Sequence, residues 1–405
     1  MIIKILKAIT QPIKTLKIIY SNLVSRYKVN LARSFGNNIS VLTGKERKIF
    51  LTEFLDNQNY KEEKISDFIA LTREGLLDSF KDKYKNEHYK FLIFIPSAIS
   101  SPAGYSIFHD LSSGLRFSGI ETETFSDSES FKRSLKSFQP NIIIGIAHDI
   151  FMKNIDWSEV SNYKMKNKLI FGLQLPYDAL CKGSVDLDGL KNKADFFYSF
   201  HCLESIHNDN AFKCVLDEGF DIFSYEFSAN PLYHYPIDLK KRIDYVYLSS
   251  INMDKMERHA KFLKPIIEIN RNGFINGPGW TNMNNFIPLE RNNWIYSSAK
   301  LGLNIHLEEQ IQRPNEINQR SYVLAACGVP QLTDTPKLLN YRIPSKFLFT
   351  ASDPAEFKSQ FEIALNDEIL REEKRINACL HVYEQHTVFH RISDLVDYLK
   401  NFQIY

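Results

Sequence analysis

The chain has 405 residues, 44% hydrophobic and 24% charged, which is the composition of an ordinary soluble globular protein of two or three domains. Its formal net charge of +2 gives no indication of a nucleic-acid partner. The five cysteines include no Cys-x-x-Cys pair, which argues against a disulfide framework or a structural zinc site and favours a reducing compartment. No apolar run reaches the roughly 20 residues of a membrane span, and we expect no signal peptide because Lys14 and Lys17 interrupt the only candidate.

Residues 1–45 differ from the rest of the chain. They contain eight Lys or Arg residues and no acidic residue, whereas the other 360 residues contain 42 basic and 48 acidic ones. Apolar residues recur at helical spacing from Ile2 to Leu31. A basic amphipathic helix of this kind can lie on an anionic membrane with its apolar face down. We therefore expect residues 1–33 to contact an anionic membrane surface or, alternatively, to pack on the protein itself or on a second subunit.

The next part of the chain alternates between helical stretches and short apolar runs. Residues 46–88 are mostly helical in pattern, and so are His109–Phe117 and 129–138. The predicted strands are Phe91–Pro96, Gly119–Phe125, Asn141–Ala147, Leu169–Leu175 and Phe196–Phe200, and all of them except Gly119–Phe125 are apolar runs. Apolar runs without alternation, separated by helices, predict a parallel sheet that is covered on both faces. This pattern is typical of a doubly wound α/β domain.

The same pattern restarts after Pro231 and Pro236. The predicted strands are Ile243–Leu248, 274–275, Leu301–His306, Pro330–Leu332 and Phe347–Thr350. The predicted helices are Met253–Ile269, Trp294–Lys300, Ile317–Cys327 and 354–400. We therefore divide the chain into a basic segment (1–45), a first Rossmann-like domain (46–235), a second (236–385) and a C-terminal helix (386–405) able to cross back to the first domain.

The segment Leu301–Asp334 reads LGLNIHLEEQIQRPNEINQRSYVLAACGVPQLTD. It resembles the nucleotide-sugar-binding segment of GT-B glycosyltransferases of the group 1 type, in the branch of spore-coat-maturation-like transferases. The family strand LNIH is matched by Asn304, Ile305 and His306. The family pattern N-x-R-x-F-E-x-x-A-C-G-x-P is matched by Asn318, Arg320, Tyr322, Ala326, Cys327, Gly328 and Pro330. His386, Thr387 and Arg391 echo the family tail, so the resemblance spans roughly residues 243–400.

The resemblance implies two domains that face a cleft, an activated sugar donor as substrate, no cofactor and no bound metal. One position departs from the family. Glu often follows the aromatic residue of R-x-F-E and can bind the donor ribose, but this chain has Val323, which accepts no hydrogen bond. Glu316, about two helical turns earlier, can substitute. Otherwise the donor is an unusual one, for example a phosphoribosyl-type or CMP-linked compound.

The residues themselves point to the same donor site. The N-terminus of the helix that contains Arg320 favours phosphate, and Arg320 can add a charge-assisted contact. Serines end one strand, and two glycines after another permit close approach of a ligand. The candidate donor-binding residues are Ser249, Ser250, Asn252, Gly277, Gly279, His306, Arg313, Asn315, Glu316, Asn318, Arg320, Ser321 and Tyr322. The alternatives are an interdomain salt bridge for Arg320, an ordinary turn for the glycines and a core position for His306.

The first domain offers weaker candidates at the carboxyl ends of its strands, where ligands bind in doubly wound sheets. Asp149 and His148 follow one strand, and His109 lies beyond another; each can act as the base that an inverting transfer needs. Helix capping by the Asp and a surface position for the His are the alternative. We expect the acceptor to contact Gly104, Tyr105, Asp110 and Gln174, and also Tyr177.

We find no P-loop, no G-x-S-x-G elbow and no His-Glu-x-x-His motif, which argues against the corresponding hydrolases and metal enzymes. The predicted function is transfer of a sugar from a nucleotide-linked donor to a hydroxyl of a surface glycan or lipid-linked acceptor. The enzyme would be cytoplasmic and peripheral on the inner face of the membrane. A phosphoribosyl-type transferase of the same fold and a non-catalytic scaffold in envelope-glycan assembly are the alternatives.

Overall fold

The computed structural model describes residues 41–55, 67–98, 101–183, 185–251, 255–280, 285, 287–312 and 316–402. Residues 1–40 of the basic segment lie outside this part of the chain, and so does the membrane contact predicted for residues 1–33. Within the described residues, no helix combines the length and the apolar character that crossing a membrane requires.

The first domain is built on a six-stranded sheet in which every strand is parallel to its neighbours. The strands are β1 (Lys90–Phe94), β2 (Glu121–Phe125), β3 (Ile142–Ile146), β4 (Ile170–Gln174), β5 (Phe196–Ser199) and β6 (Ile222–Ser224). Their spatial order is β2-β1-β3-β4-β5-β6. The side chains of β1, β3 and β4 are almost entirely buried because helices cover both faces, which explains their continuous apolar sequence.

Ten helices precede the second sheet in the described residues. They are α1 (Gly44–Leu55), α2 (Asp67–Phe80), α3 (Pro102–Phe117), α4 (Phe131–Phe138), α5 (Asp149–Met152), α6 (Trp157–Lys164), α7 (Tyr177–Cys181), α8 (Leu187–Leu190), α9 (Leu203–Asn208) and α10 (Asn210–Asp217).

The second domain has a five-stranded parallel sheet of order β11-β10-β9-β7-β8. Its strands are β7 (Ile243–Leu248), β8 (Gly273–Asn276), β9 (Ala299–Asn304), β10 (Gln331–Asp334) and β11 (Phe349–Ala351). The helices from this point of the chain onward are α11 (Met256–Arg258), α12 (Lys264–Ile269), α13 (Asn292–Ser297), α14 (Glu308–Gln312), α15 (Gln319–Ala326), α16 (Leu339–Arg342), α17 (Pro354–Asn366), α18 (Glu368–Gln385) and α19 (Val388–Leu399). A π-helical turn (His259–Leu263) joins α11 to α12, and short 3-10 turns occupy Leu289–Arg291, Ser345–Phe347 and Lys400–Phe402.

Helices α1 and α19 each pack on the domain that is farther from them along the chain. Phe50 and Leu51 of α1 are buried in the core beneath the second sheet, although we assigned residues from 46 onward to the first domain. The first domain therefore begins after α1. At the other end, Val388 and Leu399 of α19 are buried in the core of the first domain. The crossing point is a backbone bridge between Ala229 in the linker and Thr387.

Three further differences from the sequence-based prediction have local causes. Helix α3 begins at Pro102, before the predicted start at His109, because the Ser101 hydroxyl accepts from the backbone N–H of Gly104 and proline suits the first helical position. Ala299 and Lys300 belong to a strand instead of the predicted helix, because they lie beside β7, where Lys300 pairs with Asp244 at 2.8 Å. The helical tail predicted for 354–400 is three helices, with Asp367 and Thr387 capping the second and third.

Candidate functional site

A cleft of about 500 Å³ opens between the two domains. Its first-domain wall is the loop after β1 and the start of α3, and its second-domain wall includes residues at the carboxyl ends of β7 and β8 and at the start of α15. This edge of a doubly wound sheet is where ligands bind. Its polar and charged lining side chains include Ser249, Ser250, Lys255, Asn276, Asn285, Asn292, Gln310, Glu316, Asn318, Gln319 and Arg320. Among the described lining residues, two are cations, Lys255 and Arg320, and one is a carboxylate, Glu316.

Arg320 is held at the carboxyl ends of two strands. Its Nε donates to the carbonyl oxygen of Leu248 at 2.9 Å, and its Nη1 donates to Oδ1 of Asn304 at 3.2 Å. The guanidinium lies 5.0 Å from the ring centroid of Tyr247. None of the described residues accepts from its Nη2, so this edge of the guanidinium can serve a ligand in the cleft.

Asn304 orients both polar residues at the start of α15. Its Oδ1 accepts from Asn318 at 2.9 Å as well as from Arg320, and its Nδ2 donates to the hydroxyl of Ser321 at 2.8 Å. Asn318 caps the helix, because its Oδ1 accepts from the backbone N–H of Ser321 at 3.2 Å. The fully buried Asn304 thus fixes the geometry of a helix N-terminus that faces the cleft.

Lys255 is a second cation in the cleft, and the sequence analysis missed it. The residue is 9% exposed, and the described residues give its ammonium group no carboxylate partner within ion-pair distance. Burial, and then the nearby charge of Arg320, lower the pKa of Lys255 to about 7. A buried cation without a counter-ion is costly unless a ligand neutralises it. The signal in the sequence is a lysine at the start of the helix that follows Ser249 and Ser250.

Glu316 is the carboxylate of the cleft, and it lies at the boundary between the domains. Gln310 donates to its Oε1 at 2.9 Å, and Nε2 of His201, from the first domain, lies 3.9 Å from its Oε2. Burial raises the pKa of Glu316 to about 8 despite the hydrogen bond from Gln310. At neutral pH the carboxyl group is therefore largely protonated and can donate a hydrogen bond to a ligand.

The loops after β7 and β8 meet at Gly277. Its φ of +148° and its position, where a Cβ atom would lie 2.4 Å from the carbonyl oxygen of Ser249, leave no room for a side chain. Ser249 and Ser250 line the cleft beside Gly277, as the sequence predicted for this part of the site. Gly279, with φ of +87°, serves the same turn but does not line the cleft.

Three of the expected donor contacts lie behind the cleft wall instead. His306 is fully buried, with its Nδ1 2.6 Å from Oδ1 of Asp334, and Ser321 is buried between Asn304 and His306. Burial alone would raise the pKa of Asp334, but His306 and Arg258 outweigh it and lower that pKa. Tyr322 packs in a core cluster against the ring of His386, 5.3 Å between centroids. These three residues pack at or beneath the start of α15, the helix that carries Arg320, and they do not line the cleft. Asn252, Arg313 and Asn315 lie outside the described residues.

Asp110, a predicted acceptor contact, instead links the two domains. Its Oδ2 accepts from Nε2 of Gln319 on α15 at 2.9 Å, and its Oδ1 accepts from Asn230 in the linker at 3.3 Å. Burial raises the pKa of Asp110 to about 8, although both amides oppose the shift. Of the other acceptor candidates, Tyr105 lines the cleft, while Gln174 is buried and Gly104 packs against Ser101. Tyr177 packs on His201 with 4.5 Å between centroids and does not line the cleft.

The three candidate bases, Asp149, His148 and His109, differ in their exposure and in their hydrogen-bond partners. Asp149 is exposed and pairs with Lys153, and His148 caps its own helix by accepting from the N–H of Ile150; neither lines the cleft. The capping alternative therefore describes this site better than catalysis does. His109 lies one helical turn from Tyr105, with 5.8 Å between ring centroids, and its buried Nδ1 has no hydrogen-bond partner. Burial lowers the pKa of His109, so its imidazole is neutral and can accept a proton.

The described residues contain no cluster of three or more His, Cys, Asp or Glu side chains that could hold a metal ion. The polar groups of the described cleft residues are the basic side chains of Lys255 and Arg320, the carboxyl group of Glu316, several amides and the backbone at the N-terminus of α15. This combination suits a ligand with a diphosphate group and neighbouring hydroxyls.

Comparisons with known proteins agree with this assignment of the fold. Residues 258–397 match a protein-family model described as glycosyl transferase-like. No curated protein matches the sequence. An alpha-glucosyltransferase solved with UDP-glucose and DNA containing an abasic site is 13% identical, with a TM-score of 0.57 over 77% of this chain and 99% of that one. Sucrose-phosphate synthase from Thermosynechococcus elongatus is 11% identical, with a TM-score of 0.52 over 77% and 99% of the two chains.

T4 phage BGT, solved with UDP and Mn²⁺, is 13% identical with a TM-score of 0.50 over 76% of this chain and 98% of that one. Similarities at this level of identity establish the fold and leave the spore-coat branch as a prediction. The protein has the GT-B fold of two parallel-sheet α/β domains that face a cleft, and its residues 258–397 carry the pattern of the glycosyl transferase-like family.

Proposed function

We propose that this protein is a glycosyltransferase that moves a sugar from a nucleotide-linked donor to an acceptor hydroxyl. The observation that carries the proposal is the pair of cations, Arg320 and Lys255, at the carboxyl edge of the second sheet. Arg320 stands within the segment that matches the glycosyl transferase-like family. Neither cation has a carboxylate partner among the described residues, so an anionic ligand supplies the missing charge.

The chemistry follows from this placement. Breaking the bond between the anomeric carbon and the donor phosphate leaves negative charge on a diphosphate. Arg320, Lys255 and the N–H groups at the start of α15 are fixed where they can stabilise that charge as it develops. We propose that these groups suffice without a metal ion, as the resemblance implies. Closure of the cleft would exclude water and limit hydrolysis of the donor.

The donor is a nucleoside diphosphate sugar in this proposal. Several proteins of the same fold were solved with UDP or UDP-glucose, which makes uridine nucleotides the first compounds to test. Val323, which lines the cleft where the family often has Glu, favours one alternative, a phosphoribosyl-type donor. Glu316 as a protonated hydrogen-bond donor offers the donor sugar a partner in either case.

The acceptor in this proposal is a hydroxyl of a surface glycan or of a lipid-linked glycan. The support is the sequence of residues 1–45, whose eight basic and no acidic residues suit the anionic inner face of a membrane. Of the three candidate bases, none lines the cleft itself, and His109 is the one that packs against a cleft residue, Tyr105, with 5.8 Å between ring centroids.

A transfer assay tests the proposal. The purified chain is given UDP-, GDP-, CMP- and dTDP-linked sugars or phosphoribosyl pyrophosphate, each radiolabelled in its transferable sugar, with membrane glycolipids as acceptors, with and without EDTA. We expect transfer from one class of nucleotide sugar, insensitivity to EDTA and loss of transfer in Arg320→Ala. Transfer from phosphoribosyl pyrophosphate alone would establish the alternative donor, and absence of both transfer and donor binding would favour the scaffold.

A further inference from the structure

Arg47 lies on α1, outside the segment that matches the glycosyl transferase-like family, yet it contacts a loop of the candidate site. It is 3% exposed and donates three hydrogen bonds across more than 220 positions of the sequence. The acceptors are Oδ1 of Asn285 at 2.8 Å, the carbonyl oxygen of Ile275 at 2.9 Å and Oδ1 of Asn276 at 2.6 Å.

These bonds join the end of β8 to Asn285, a described residue farther along the chain. Asn276 and Asn285 also bond to each other, because the Asn276 amide donates to the Asn285 carbonyl at 3.0 Å and accepts from the Asn285 N–H at 2.9 Å. Both asparagines line the cleft, together with Gly277 and Pro278. The guanidinium of Arg47 therefore occupies the centre of a polar cluster whose outer members face the site.

The cluster continues to the serines of the donor site. The Ser249 N–H donates to the Asn276 carbonyl at 2.9 Å, and the Ile251 N–H donates to the Pro278 carbonyl at 2.9 Å. The position of Asn276 is therefore linked by a hydrogen bond to the backbone of Ser249, which precedes Ser250 in the cleft.

The charge of Arg47 is unnecessary for packing alone. The guanidinium stacks 4.3 Å from the ring centroid of Phe274, and its three hydrogen-bond acceptors are neutral oxygens. Burial lowers the pKa of Arg47 to about 10, because removing the guanidinium from water disfavours its charged form. A buried charge without a counter-ion costs free energy, so packing alone does not favour an arginine at this position. Arginine differs from other side chains in having a planar guanidinium group, which here donates to three oxygens at once.

We propose that Arg47 is a positioning residue for donor binding, which acts through Asn276 and Asn285 on the loop that faces the diphosphate of the donor. The inference rests on the proposed function. It predicts that a helix before the first domain sets the affinity of the second domain for a nucleoside diphosphate.

The test compares Arg47→Met, Arg47→Lys and Arg47→Ala with the wild-type chain. Lys48→Ala is the matched control, because it removes one exposed positive charge from the same helix. The probe is whichever of UDP, GDP, ADP and dTDP binds the wild-type chain most tightly by calorimetry. Transfer kinetics give the donor KM and kcat, and thermal melting reports whether each variant is folded.

We expect Arg47→Met to weaken nucleotide binding and raise the donor KM at least fivefold while kcat changes less than twofold. The nucleotide affinity and donor KM of Arg47→Lys should lie between those of the wild type and Arg47→Met, and those of Lys48→Ala should match the wild type. Guanidinium at low, non-denaturing concentration should restore nucleotide affinity to Arg47→Ala. If Arg47→Met and Arg47→Ala fail to fold, Arg47→Lys tests the inference, which then predicts a raised donor KM with little change in kcat.

Nucleotide affinity within twofold of wild type in a folded Arg47 variant would overturn the inference and leave the proposed function intact. So would a loss of kcat at unchanged donor KM. If the wild-type chain binds none of the four nucleotides, the proposed function fails, and the inference fails with it.

Discussion

Nη1 of Arg320 lies 3.2 Å from Oδ1 of Asn304, and the same oxygen accepts from Asn318 at 2.9 Å. One buried amide thus orients the cation of the candidate donor site and the residue that caps its helix. The pairing gives the Asn-Ile-His segment that begins at the end of β9 and the Asn-x-Arg segment at the start of α15 a common purpose: the strand end supplies the acceptor, and the start of the helix supplies the two donors.

Asn304→Ala should therefore weaken nucleotide binding without removing any group that faces the cleft. Loss of its four hydrogen bonds, two of them to the buried Ser321 and Gln331, should also destabilise the fold by about 1–3 kcal/mol. A double-mutant cycle with Arg320→Ala, measured by calorimetry, should give a coupling of about 0.5–3 kcal/mol. Strict additivity of the two changes in binding free energy would mean that Asn304 does not act through Arg320.

Donor affinity should fall as pH rises from 6 to 8.5. Lys255, whose pKa is lowered to about 7, loses its positive charge over this range, and Glu316, whose pKa is raised to about 8, gains a negative one. Both changes make the cleft less favourable for a diphosphate, on the order of tenfold for each full change of charge. Calorimetry with UDP-glucose, whose phosphates do not titrate here, measures the slope.

Single substitutions separate the contribution of Lys255 to this pH dependence from that of Glu316. Glu316→Gln should keep tight binding and flatten the slope above pH 7.5, and Lys255→Met should weaken binding at pH 6 and flatten the slope below 7.5. Lys261→Ala, which removes an exposed lysine on the same helical segment, is the control. A wild-type affinity that rises with pH would contradict the assignment of both residues.

The interdomain link should make stability depend on pH. The pKa of Asp110 is about 8 in the folded protein, above its ordinary value of 3.8, so the folded state binds more protons than the unfolded state between these values. The contribution of this group therefore lowers stability as pH rises from 4 to 8. Compared with wild type, Asp110→Asn should gain melting temperature at pH 8 and show a flatter decline. An identical pH dependence of melting in the two proteins would show that Asp110 titrates normally.

Val323→Glu tests the departure from the family pattern. Val323 lines the cleft one helical turn beyond Arg320, where a carboxylate can accept hydrogen bonds from both ribose hydroxyls. The variant should prefer UDP over 2′-deoxy-UDP by about tenfold, equivalent to about 1.4 kcal/mol, whereas the wild type should bind the two about equally. Val323→Gln is the uncharged control. A wild-type preference for UDP of tenfold or more would show that another residue binds the ribose.

The sequence predicted the two parallel sheets because buried parallel strands are continuous apolar runs, readable without tertiary information. It failed at Ala299 and Lys300, whose strand conformation depends on pairing with β7, about 55 positions earlier. It also assigned α1 to the wrong domain, since no local pattern shows which sheet Phe50 packs on.

The candidate site divides in the same way. Ser249, Ser250, Gly277, Asn318 and Arg320 were predicted because strand ends and helix starts are visible in the sequence. For His306 the sequence left open a donor contact or a core position, and the structure shows the core position, because Asp334 on the next strand pairs with its Nδ1, a contact that cannot be read from spacing. Lys255 was missed because a lysine in a predicted helix is normally exposed. Asp149 and His148 were favoured by their position at a strand end, but neither lines the cleft, whose first-domain wall follows the neighbouring strand β1.

The most direct test of the account is a thermal-shift panel of UDP, GDP, CMP, ADP, dTDP, their sugar conjugates and phosphoribosyl pyrophosphate, on the wild-type chain and on Arg320→Ala. A ligand at a hundred times its dissociation constant stabilises the native state by about 2.7 kcal/mol. We predict that one nucleoside diphosphate class raises the melting temperature of the wild type and that Arg320→Ala loses the shift while melting as a folded protein. An equal shift in both proteins, or no shift with any nucleotide, would contradict the claim that the cleft binds a nucleotide-linked donor through Arg320.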